Sequence, residues 1–456
     1  MLLSALRRAT TRAVILSTAV ATAVAGTVAL TAPAQAANRV TPGSFSGYGF
    51  DQCETQSQEV MDAWLTGSPY WAVGIYIAGE NRHCGDDRQV HLTSEWVSTQ
   101  LANGWKLLPI TVGPQAPCYV NPEKKIRIDN NPADDFAAAR EQGGLEAVDT
   151  VTRAQALGIA PKSTLWNDIE AFDTTNTRCR NSTLAFLSGW TEGLHSLDYV
   201  SGVYMSAARG MNALDDARVL EPGRFTMPDR IWVAEWVKAE QYRRPPLATP
   251  PSLYSAYLRD DGWFPGGRMR QYRGGHDETY GGETVNIDTN YLELGRGTRP
   301  GRAPRFCGGT VVDFPSYRRL GPGAEHPQVS ALQCLLKRKK LYGGEITGVY
   351  DATTTAAVRA FRESRGQGIG GRMLRKTWTT LLSEGRGPVL KVGSGGQAVR
   401  RLQRALNAAV QAGLAVDGLF GPATTAAVRE YQEAVGLRRT GVAAYDTWAE
   451  LQSGAL

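Results

Sequence analysis

Short runs of apolar, β-branched and aromatic residues recur through the first two thirds of the chain, and polar stretches with helical spacing separate several of them. The runs predict strands at 47–50, 72–77, 105–112, 164–169, 202–205, 231–236, 269–272 and 285–292. Helical patterns at 144–157 and 184–196 lie between strands, and this alternation is typical of a parallel sheet. The segment that contains these runs is about 260 residues long, which is near the length of one eight-stranded α/β barrel. We therefore predict an α/β fold, with a TIM-type (β/α)8 barrel.

The rest of the chain is a tandem repeat, in which the second copy follows the first by about 70 residues. Residues 354–359 recur unchanged at 424–429, and Trp378 recurs as Trp448. Apolar residues three and four apart, a glycine-containing turn and a Thr-Thr pair predict three helices in each copy. We expect two small three-helix domains after the barrel.

The second copy contains the segment Val-Asp-Gly-Leu-Phe-Gly-Pro-Ala-Thr-Thr-Ala-Ala-Val at 416–428. It resembles the peptidoglycan-binding domain 1 family found in bacterial wall hydrolases, and the resemblance implies binding of peptidoglycan. The first copy departs from this pattern, because Thr347 stands where the second copy has Asp417. Two structural helical bundles without a ligand are the alternative.

The amino terminus has the pattern of a secretory signal. Three arginines precede an apolar stretch at 13–30, and Ala34-Gln35-Ala36 supplies a small-x-small cleavage pattern. We expect residues 1–36 to be removed, which gives a secreted, extracellular or wall-associated protein; the pair Arg7-Arg8 leaves the export route open. No other stretch reaches the roughly 18 uninterrupted apolar residues of a membrane span, so we expect none in the mature chain.

Charge and cysteine content fit an exported protein. The formal net charge is +6, and about +3 remains without the signal arginines, which is too mild to indicate nucleic acid. The six cysteines include no C-x-x-C pair, and an even number in an exported chain predicts three disulfides. About fifteen pairings are possible. The pairs expected from joining neighbouring segments are Cys53 with Cys84, Cys118 with Cys179, and Cys307 with Cys334.

The most informative chemical feature is a pair of carboxylates at the end of the predicted strand 164–169. Asp168 and Glu170 are two residues apart, so in a strand their side chains and that of Trp166 leave on one face. Parallel α/β folds build active sites at the carboxyl ends of strands. The pair therefore indicates acid/base chemistry on a sugar, and the alternative is an N-cap acid with a solvated neighbour.

Several segments of the barrel carry a family resemblance. They are Gly-Phe-Asp at 49–51, Gly-Leu-Glu-Ala at 144–147, Trp-Asn-Asp-Ile-Glu at 166–170, Ile-Trp-Val-Ala-Glu-Trp at 231–236 and Val-Asn-Ile-Asp at 285–288. These segments resemble the lysozyme-like glycoside hydrolases of family 25 and, more closely, the exported glycoside-hydrolase-like domain known as DUF1906. The resemblance implies that acids on the first, fourth and eighth strands line a pocket. By position these acids are Asp51, Asp168, Glu170 and Asp288.

Each acid has an expected part in glycoside cleavage. Glu170 is the expected general acid, because neighbouring negative charges in a partly desolvated pocket favour its protonated form. Asp168 is expected to orient the substrate's acetamido group or to stabilise the oxocarbenium-like state. Asp51 and Asp288 are expected to position water or sugar hydroxyls. The expected substrate-binding residues are Trp166, Trp232, Trp236 and Tyr272, with core packing as the alternative, and Glu235, which is either a pocket acid or a partner for an Arg.

Other chemistries have less support. The five histidines form no H-E-x-x-H or paired ligand spacing, and no G-x-S-x-G or phosphate-binding Gly-Lys motif is present. We expect no metal, no cofactor and a monomer. Two functions remain: a secreted lysozyme- or muramidase-like hydrolase of peptidoglycan or a related polysaccharide, and a non-catalytic, glycan-recognising wall-binding protein.

The predicted domain order follows from these signals. A stretch rich in Arg, Gly and Pro separates the barrel from the repeats and predicts a linker. The expected segments are a signal peptide at 1–36, a glycoside-hydrolase-like barrel at 37–300, a linker at 301–317, and peptidoglycan-binding repeats at 318–386 and 387–456.

Overall fold

The structure, a computed structural model, describes residues 38–237 and 250–456; the predicted signal peptide, 1–36, lies outside the described residues. Within these ranges eight strands form a closed barrel in chain order, which confirms the predicted TIM-type architecture. The strands are β1 (Phe45–Asp51), β2 (Ala72–Ala78), β3 (Lys106–Thr111), β4 (Thr164–Asp168), β5 (Val200–Ser206), β6 (Arg230–Ala234), β7 (Gly267–Tyr280) and β8 (Glu283–Leu294).

Helices connect the first six strands. They are α1 (Gln58–Gly67), α2 (Ser94–Asn103), α3 (Ala137–Ala156), α4 (Thr177–Ser196) and α5 (Asn212–Leu220). Local sequence sets where several begin: the side chains of Ser57, Thr93 and Asn176 each accept a hydrogen bond from a backbone N–H three residues later. Most of the helical patterns predicted at 144–157 and 184–196 fall within α3 and α4.

The last strand departs from the all-parallel order expected of such a barrel. Neighbouring strands from β1 to β7 are parallel, whereas β8 runs antiparallel to both β7 and β1. Gly281 and Gly282 alone connect β7 to β8, and their φ values are 65° and 96°. Two residues with positive φ close a hairpin, whereas a parallel crossover needs about a dozen or more residues. The connection therefore leaves no length for a helix.

Apolar side chains fill both sides of the barrel wall. Inside, the rings of Trp166 and Trp232 are 5.6 Å apart and nearly perpendicular. A Cβ atom at Gly202 would lie 2.5 Å from the Trp166 ring, so only glycine fits beside it. Outside, Val203 and Ile231 belong to the large core under the helices. Because the barrel centre is packed, a substrate can reach only the ends of the barrel.

Each repeat folds into three helices. They are α6 (Pro327–Arg338), α7 (Ala352–Ser364) and α8 (Arg375–Ser383), followed by α9 (Gln397–Ala409), α10 (Pro422–Ala434) and α11 (Tyr445–Ser453). Residues shared by the copies hold the fold: Gln333 Nε2 donates to the Val349 carbonyl at 2.9 Å, and Gln403 Nε2 donates to the Leu419 carbonyl at 3.1 Å. The repeated glutamines thus fix the turn that precedes the second helix of each repeat.

The three expected disulfides are confirmed. They are Cys53–Cys84, Cys118–Cys179 and Cys307–Cys334. The first lies beside the carboxyl end of β1, and the third ties the segment before the repeats to α6. In the part of the chain that the structure describes, no cysteine is free.

The second repeat packs against the end of the barrel where the parallel strands begin. Lys391 is buried there; its Nζ donates to the Leu65 carbonyl at 2.7 Å and lies 4.6 and 5.0 Å from the ring centroids of Trp71 and Trp105. Trp71 Nε1 also donates to Ser394 Oγ at 3.2 Å. Trp71 and Trp105 precede β2 and β3, so this docking leaves the opposite end of the barrel open.

Candidate active site

Four acidic side chains meet at the barrel mouth, by which we mean the end where β1–β7 finish. Asp51 ends β1, Asp168 ends β4, Glu170 follows two residues later, and Asp288 on β8 pairs in register with Asp51. All four line two cavities, of about 280 and 120 Å³. The structure therefore brings together the acids on three separate strands that the family resemblance implied.

Asp51 and Asp288 form a buried carboxyl pair. Asp51 is 4 % exposed, and burial, followed by the negative charge of Asp288, raises its pKa well above the ordinary value. Burial also raises the pKa of Asp288 to about 6, against the lowering effect of the Gly275 N–H and of His276. Two nearby carboxyl groups repel each other when both are ionised, so they share one proton. The pair of Asp51 and Asp288 can therefore hold a proton at mildly acidic pH.

Hydrogen bonds from neighbouring strands fix this pair. Asn290 Nδ2 donates to Asp51 Oδ1 at 2.6 Å, and Asn290 Oδ1 accepts from Trp232 Nε1 at 2.8 Å. Gln271 Nε2 donates to Asp288 Oδ2 at 3.1 Å. Amide donors rather than ion pairs therefore hold the two carboxyl groups, and the pKa of each stays raised despite the nearby His276.

Asp168 is the acid of β4 and is almost fully buried, at 7 % exposure. Burial raises its pKa well above the ordinary value, and the charges of Glu170 and Asp288 add to that effect. Lys124, which lines the larger cavity, acts in the opposite direction. Glu170 is only partly buried. The mouth thus combines two deeply buried acids, Asp51 and Asp168, with two partly buried ones, Asp288 and Glu170.

A buried glutamine holds the segment that carries Asp168 and Glu170. Gln115 is 0 % exposed; its Nε2 donates to the Asp168 carbonyl at 2.7 Å, and its Oε1 accepts from the Glu170 N–H at 2.8 Å. Both ends of one amide therefore bind the backbone on either side of Ile169. This arrangement fixes where the two side chains point, since neither backbone group is free to rotate.

Two of the expected aromatic residues lie at the mouth. Trp232 lines the smaller cavity. Trp236 is 64 % exposed and donates from Nε1 to Gln271 Oε1 at 3.2 Å. A Cβ atom at Gly274 would lie 2.4 Å from the Trp236 ring, so the glycine allows the ring to lie flat over β7. Trp236 offers an exposed aromatic face to a sugar.

The other three expected substrate-binding residues do not line either cavity. Trp166 is fully buried at the barrel centre, below Asp168. Tyr272 belongs to the core outside the barrel, because successive residues of a strand face opposite sides and Gln271 faces inward. Glu235 lies 3.7 Å from Arg270 as an ion pair. Core packing and ion pairing, the alternatives raised from the sequence, account for these positions.

Sequence reasoning missed the polar residues that support the acids. Gln115, Gln271 and Asn290 are all at most 2 % exposed, and Gln271 and Asn290 lie within strands. The available signal was alternation, because Gln271 shares a strand face with Met269 and Asn290 shares one with Leu292, and a polar residue on a core-facing side needs a partner. Gln115 gave a weaker signal, as a polar residue shortly after the end of β3.

Among residues 38–237 and 250–456, no group of three or more His, Cys, Asp or Glu side chains is placed to hold a metal ion. Over the same described ranges, no helix has both the length and the apolar character needed to cross a membrane.

Two family models match the chain. The model described as the Rv2525c-like, glycoside hydrolase-like domain matches residues 62–292. A peptidoglycan-binding domain model matches residues 325–381 and 395–451. The first range contains Asp168, Glu170 and Asp288, whereas Asp51 precedes it. The second model matches both copies of the repeat.

Two curated proteins are similar over short stretches. The chain is 43 % identical over 77 residues to the zinc D-Ala-D-Ala carboxypeptidase of Streptomyces albus G, covering 16 % of this chain and 27 % of that protein. It is 43 % identical over 65 residues to an uncharacterised protein encoded in the bpoA1 3′ region of Kitasatospora aureofaciens, covering 14 % and 55 %. The chain therefore spans less than two thirds of either relative.

Solved structures similar to this chain include proteins from B. stearothermophilus, Mycobacterium tuberculosis and Bacillus anthracis. An uncharacterised B. stearothermophilus protein is 19 % identical with a TM-score of 0.33, covering 54 % of this chain and 95 % of that one. The Tat-secreted protein Rv2525c of Mycobacterium tuberculosis is 14 % identical with a TM-score of 0.33, covering 54 % and 95 %. A family 25 glycosyl hydrolase from Bacillus anthracis is 11 % identical with a TM-score of 0.31, covering 55 % and 91 %.

Proposed function

Because this chain belongs to the Rv2525c-like, glycoside hydrolase-like family and carries two peptidoglycan-binding repeats, we propose that it is a secreted cell-wall glycoside hydrolase of the lysozyme or muramidase type. Its substrate is peptidoglycan or a related wall polysaccharide. The observation that carries the proposal is the convergence of Asp51, Asp168, Glu170 and Asp288 on shared cavities at the barrel mouth. Buried acids destabilise a fold, so four together at one open site favour a catalytic use.

Glu170 is the proposed general acid. It is only partly buried and lines both cavities, so it can reach a leaving-group oxygen that enters from solvent. Its backbone N–H is fixed by Gln115, which limits the directions its side chain can take. Protonation of the glycosidic oxygen by a positioned carboxyl group is the step that such hydrolysis requires.

Asp168 is the proposed partner at the anomeric carbon. As positive charge develops there, a carboxylate stabilises it directly or orients the substrate's own acetamido group to do so. Asp51 and Asp288 position water or sugar hydroxyls, because a protonated carboxyl donates a hydrogen bond and an ionised one accepts it. Trp232 and Trp236 contact the sugar rings from the side of β6.

The proposed domain order assigns export and targeting to the ends of the chain. Residues 1–36 are the proposed signal peptide and residues 37–300 the barrel. Residues 301–317 are the linker, and the repeats at 318–386 and 387–456 hold the monomeric enzyme on the wall. Three disulfides fit an extracellular or wall-associated location.

A barrel that recognises glycan without cleaving it is the second candidate function. The depth of the aspartates favours it, since Asp51 and Asp168 are 4 % and 7 % exposed and the inner cavity is only about 120 Å³. A sugar ring held at the rim by Trp236 would then contact neither Asp51 nor Asp168.

Product release from purified bacterial peptidoglycan separates the two functions. The mature protein is compared with Glu170→Gln and with Glu141→Gln, a matched change at an exposed site on α3. Soluble fragments are identified by mass spectrometry, and new reducing ends are counted. Fragments released by the mature protein and by Glu141→Gln, but not by Glu170→Gln, support the hydrolase. Wall binding by all three proteins without any release overturns it and favours recognition.

A further inference from the structure

A basic cleft lies between the two repeats, at a distance from the barrel mouth along the chain. Its volume is about 880 Å³, and it is bounded by α6 and α8 of the first repeat and α9 of the second. The cations that line it are Arg338, Lys339, Arg386, Arg401 and Arg404, and Glu384 is the lining carboxylate. The lining therefore has a strong excess of positive charge in a protein whose overall charge is mild.

Most of this charge has no counter-ion. Glu384 pairs with Lys339 and with Arg365, and Arg404 pairs with Asp313. None of the carboxylates in the described ranges forms an ion pair with the other three lining arginines, Arg338, Arg386 and Arg401. Three guanidinium groups around one cleft without carboxylate partners leave a local field that attracts anions.

Aromatic rings hold the guanidinium groups in place. The Cζ atoms of Arg338 and Arg404 lie 4.8 and 5.1 Å from the ring centroid of Phe306, so one ring orients two cations. Arg401 lies 4.5 Å from the ring centroid of Trp448. Planar groups that are already stacked lose little freedom when their N–H groups bind an anion.

One donor in the cleft is buried and has no partner. Arg404 is 7 % exposed, and its Nη2 atom forms no hydrogen bond with any described group. Burial also lowers the pKa of Arg401 and, together with its cationic neighbours, that of Lys339. Desolvated donors of this kind are destabilising unless a ligand satisfies them.

The cleft is not a by-product of the repeated fold. Arg401 and Arg404 on α9 stand where α6 has Ala331 and Cys334, which are covered by the linker through Phe306 and the Cys307–Cys334 bond. The same helix face is thus apolar in the first repeat but carries two cations in the second. Asp313 binds one side of Arg404, and Arg401 donates to the carbonyls of Glu384 and Arg386, yet both arginines still line the cleft.

We propose that this cleft binds an anionic polymer of the phosphodiester class, such as a phosphate-containing polymer attached to the wall. Arginine forks match phosphate oxygens in pairs, and several cations along one cleft suit a ligand with repeated charge better than a single carboxylate. The proposal does not depend on the chemistry of the barrel, since the site lies on other elements.

Isothermal titration of poly(glycerol phosphate) into the mature full-length protein tests the proposal. The variant is Arg338→Gln with Arg386→Gln, both exposed, and the matched control is Arg359→Gln with Arg438→Gln, which removes one exposed charge from each repeat outside the cleft. We expect the first pair to weaken binding about tenfold and the control less than about twofold, with affinity falling as salt rises.

Three outcomes would overturn the proposal. The first is an equal loss of affinity in both variants, which would mean non-specific charge attraction. The second is no binding by the unaltered protein at low salt. The third is equal affinity for poly-glutamate, which would show no preference for phosphodiesters. Circular dichroism of both variants establishes that each retains the helical fold.

Discussion

Asp51 and Asp288 face each other across the antiparallel ladder between β1 and β8. This contact exists only because β8 reverses direction, so that a residue in the middle of β8 meets the last residue of β1. Burial raises the pKa of both groups, and the negative charge of Asp288 raises the pKa of Asp51 further. The fold therefore keeps a protonatable pair at the mouth at the expense of its own stability at neutral pH.

The first prediction concerns stability and pH. The pKa of Asp288 rises from 3.8 to about 6 on folding, so between these values the unfolded chain ionises first and the free energy of unfolding falls as pH rises. Asp288→Asn removes this loss. We expect it to raise the free energy of unfolding at about pH 7 by about 3 kcal/mol and to leave it unchanged at about pH 3.

Urea denaturation at the two pH values measures this difference. Asp277→Asn, at an exposed position of the same hairpin, is the control and should show no such dependence on pH. A stabilisation by Asp288→Asn that is equal at both pH values would show that ionisation is not its cause.

The second prediction assigns a positioning role to Gln115. Gln115→Ala removes both hydrogen bonds that fix the backbone around Asp168 and Glu170, but it leaves every carboxyl group present. We expect kcat for glycan release to fall about tenfold to hundredfold with little change in KM, because small displacements of reacting groups are costly. Hydrogen exchange at the Glu170 N–H should accelerate in the same variant. Unchanged exchange there would contradict the positioning role, whether or not the protein is catalytic.

The third prediction concerns the disulfide beside the mouth. Cys53 and Cys84 both line the larger cavity, and their bond closes a segment of 31 residues. Replacing both with Ser should lower the free energy of unfolding by about 2–4 kcal/mol and also weaken glycan binding or release. The pair Cys307→Ser and Cys334→Ser, whose separation is 27, is the matched control and should cost stability alone. Equal effects on glycan by both pairs would remove the link between the first bond and the mouth.

The fourth prediction concerns the contact between the second repeat and the barrel. Lys391→Ala removes a hydrogen bond to Leu65 and the amino group that lies between Trp71 and Trp105. We expect the free energy of unfolding to fall by about 2 kcal/mol and the linker to become more sensitive to protease. Lys125→Ala, an exposed lysine on the barrel, serves as control. Unaltered proteolysis of the linker in Lys391→Ala would indicate that this lysine does not hold the two parts together.

This contact also has a consequence for wall binding. The second repeat occupies the end of the barrel where β2 and β3 begin, and the acids occupy the other end. A short glycan cannot reach both, so the repeats and the mouth would engage different strands of the wall. On the proposed function, the repeats would therefore target the barrel by raising its local concentration at the wall rather than by sharing one ligand with the mouth.

Residues close together in the chain were enough to predict the strands, the two three-helix repeats and the acidic motif of β4, and joining neighbouring segments predicted the three disulfides. These features depend on local periodicity, on a repeated pattern and on a short acidic motif, all of which are visible in the linear sequence. The family resemblance implied that Asp51, Asp168, Glu170 and Asp288 share a pocket.

Tertiary structure alone decided which residues serve that pocket. Trp166 and Trp232 are both tryptophans at inward-facing strand positions, yet only Trp232 lines a cavity. Alternation along a strand predicts which side chains face inward, but it does not predict how deep each one lies along the barrel axis. Gln115, in the loop after β3, supports the acids at the end of β4. Strand β8 runs antiparallel because the two glycines between β7 and β8 are too few residues for a parallel crossover. Such contacts join residues far apart in the chain, and only closure of the barrel brings them within hydrogen-bond distance.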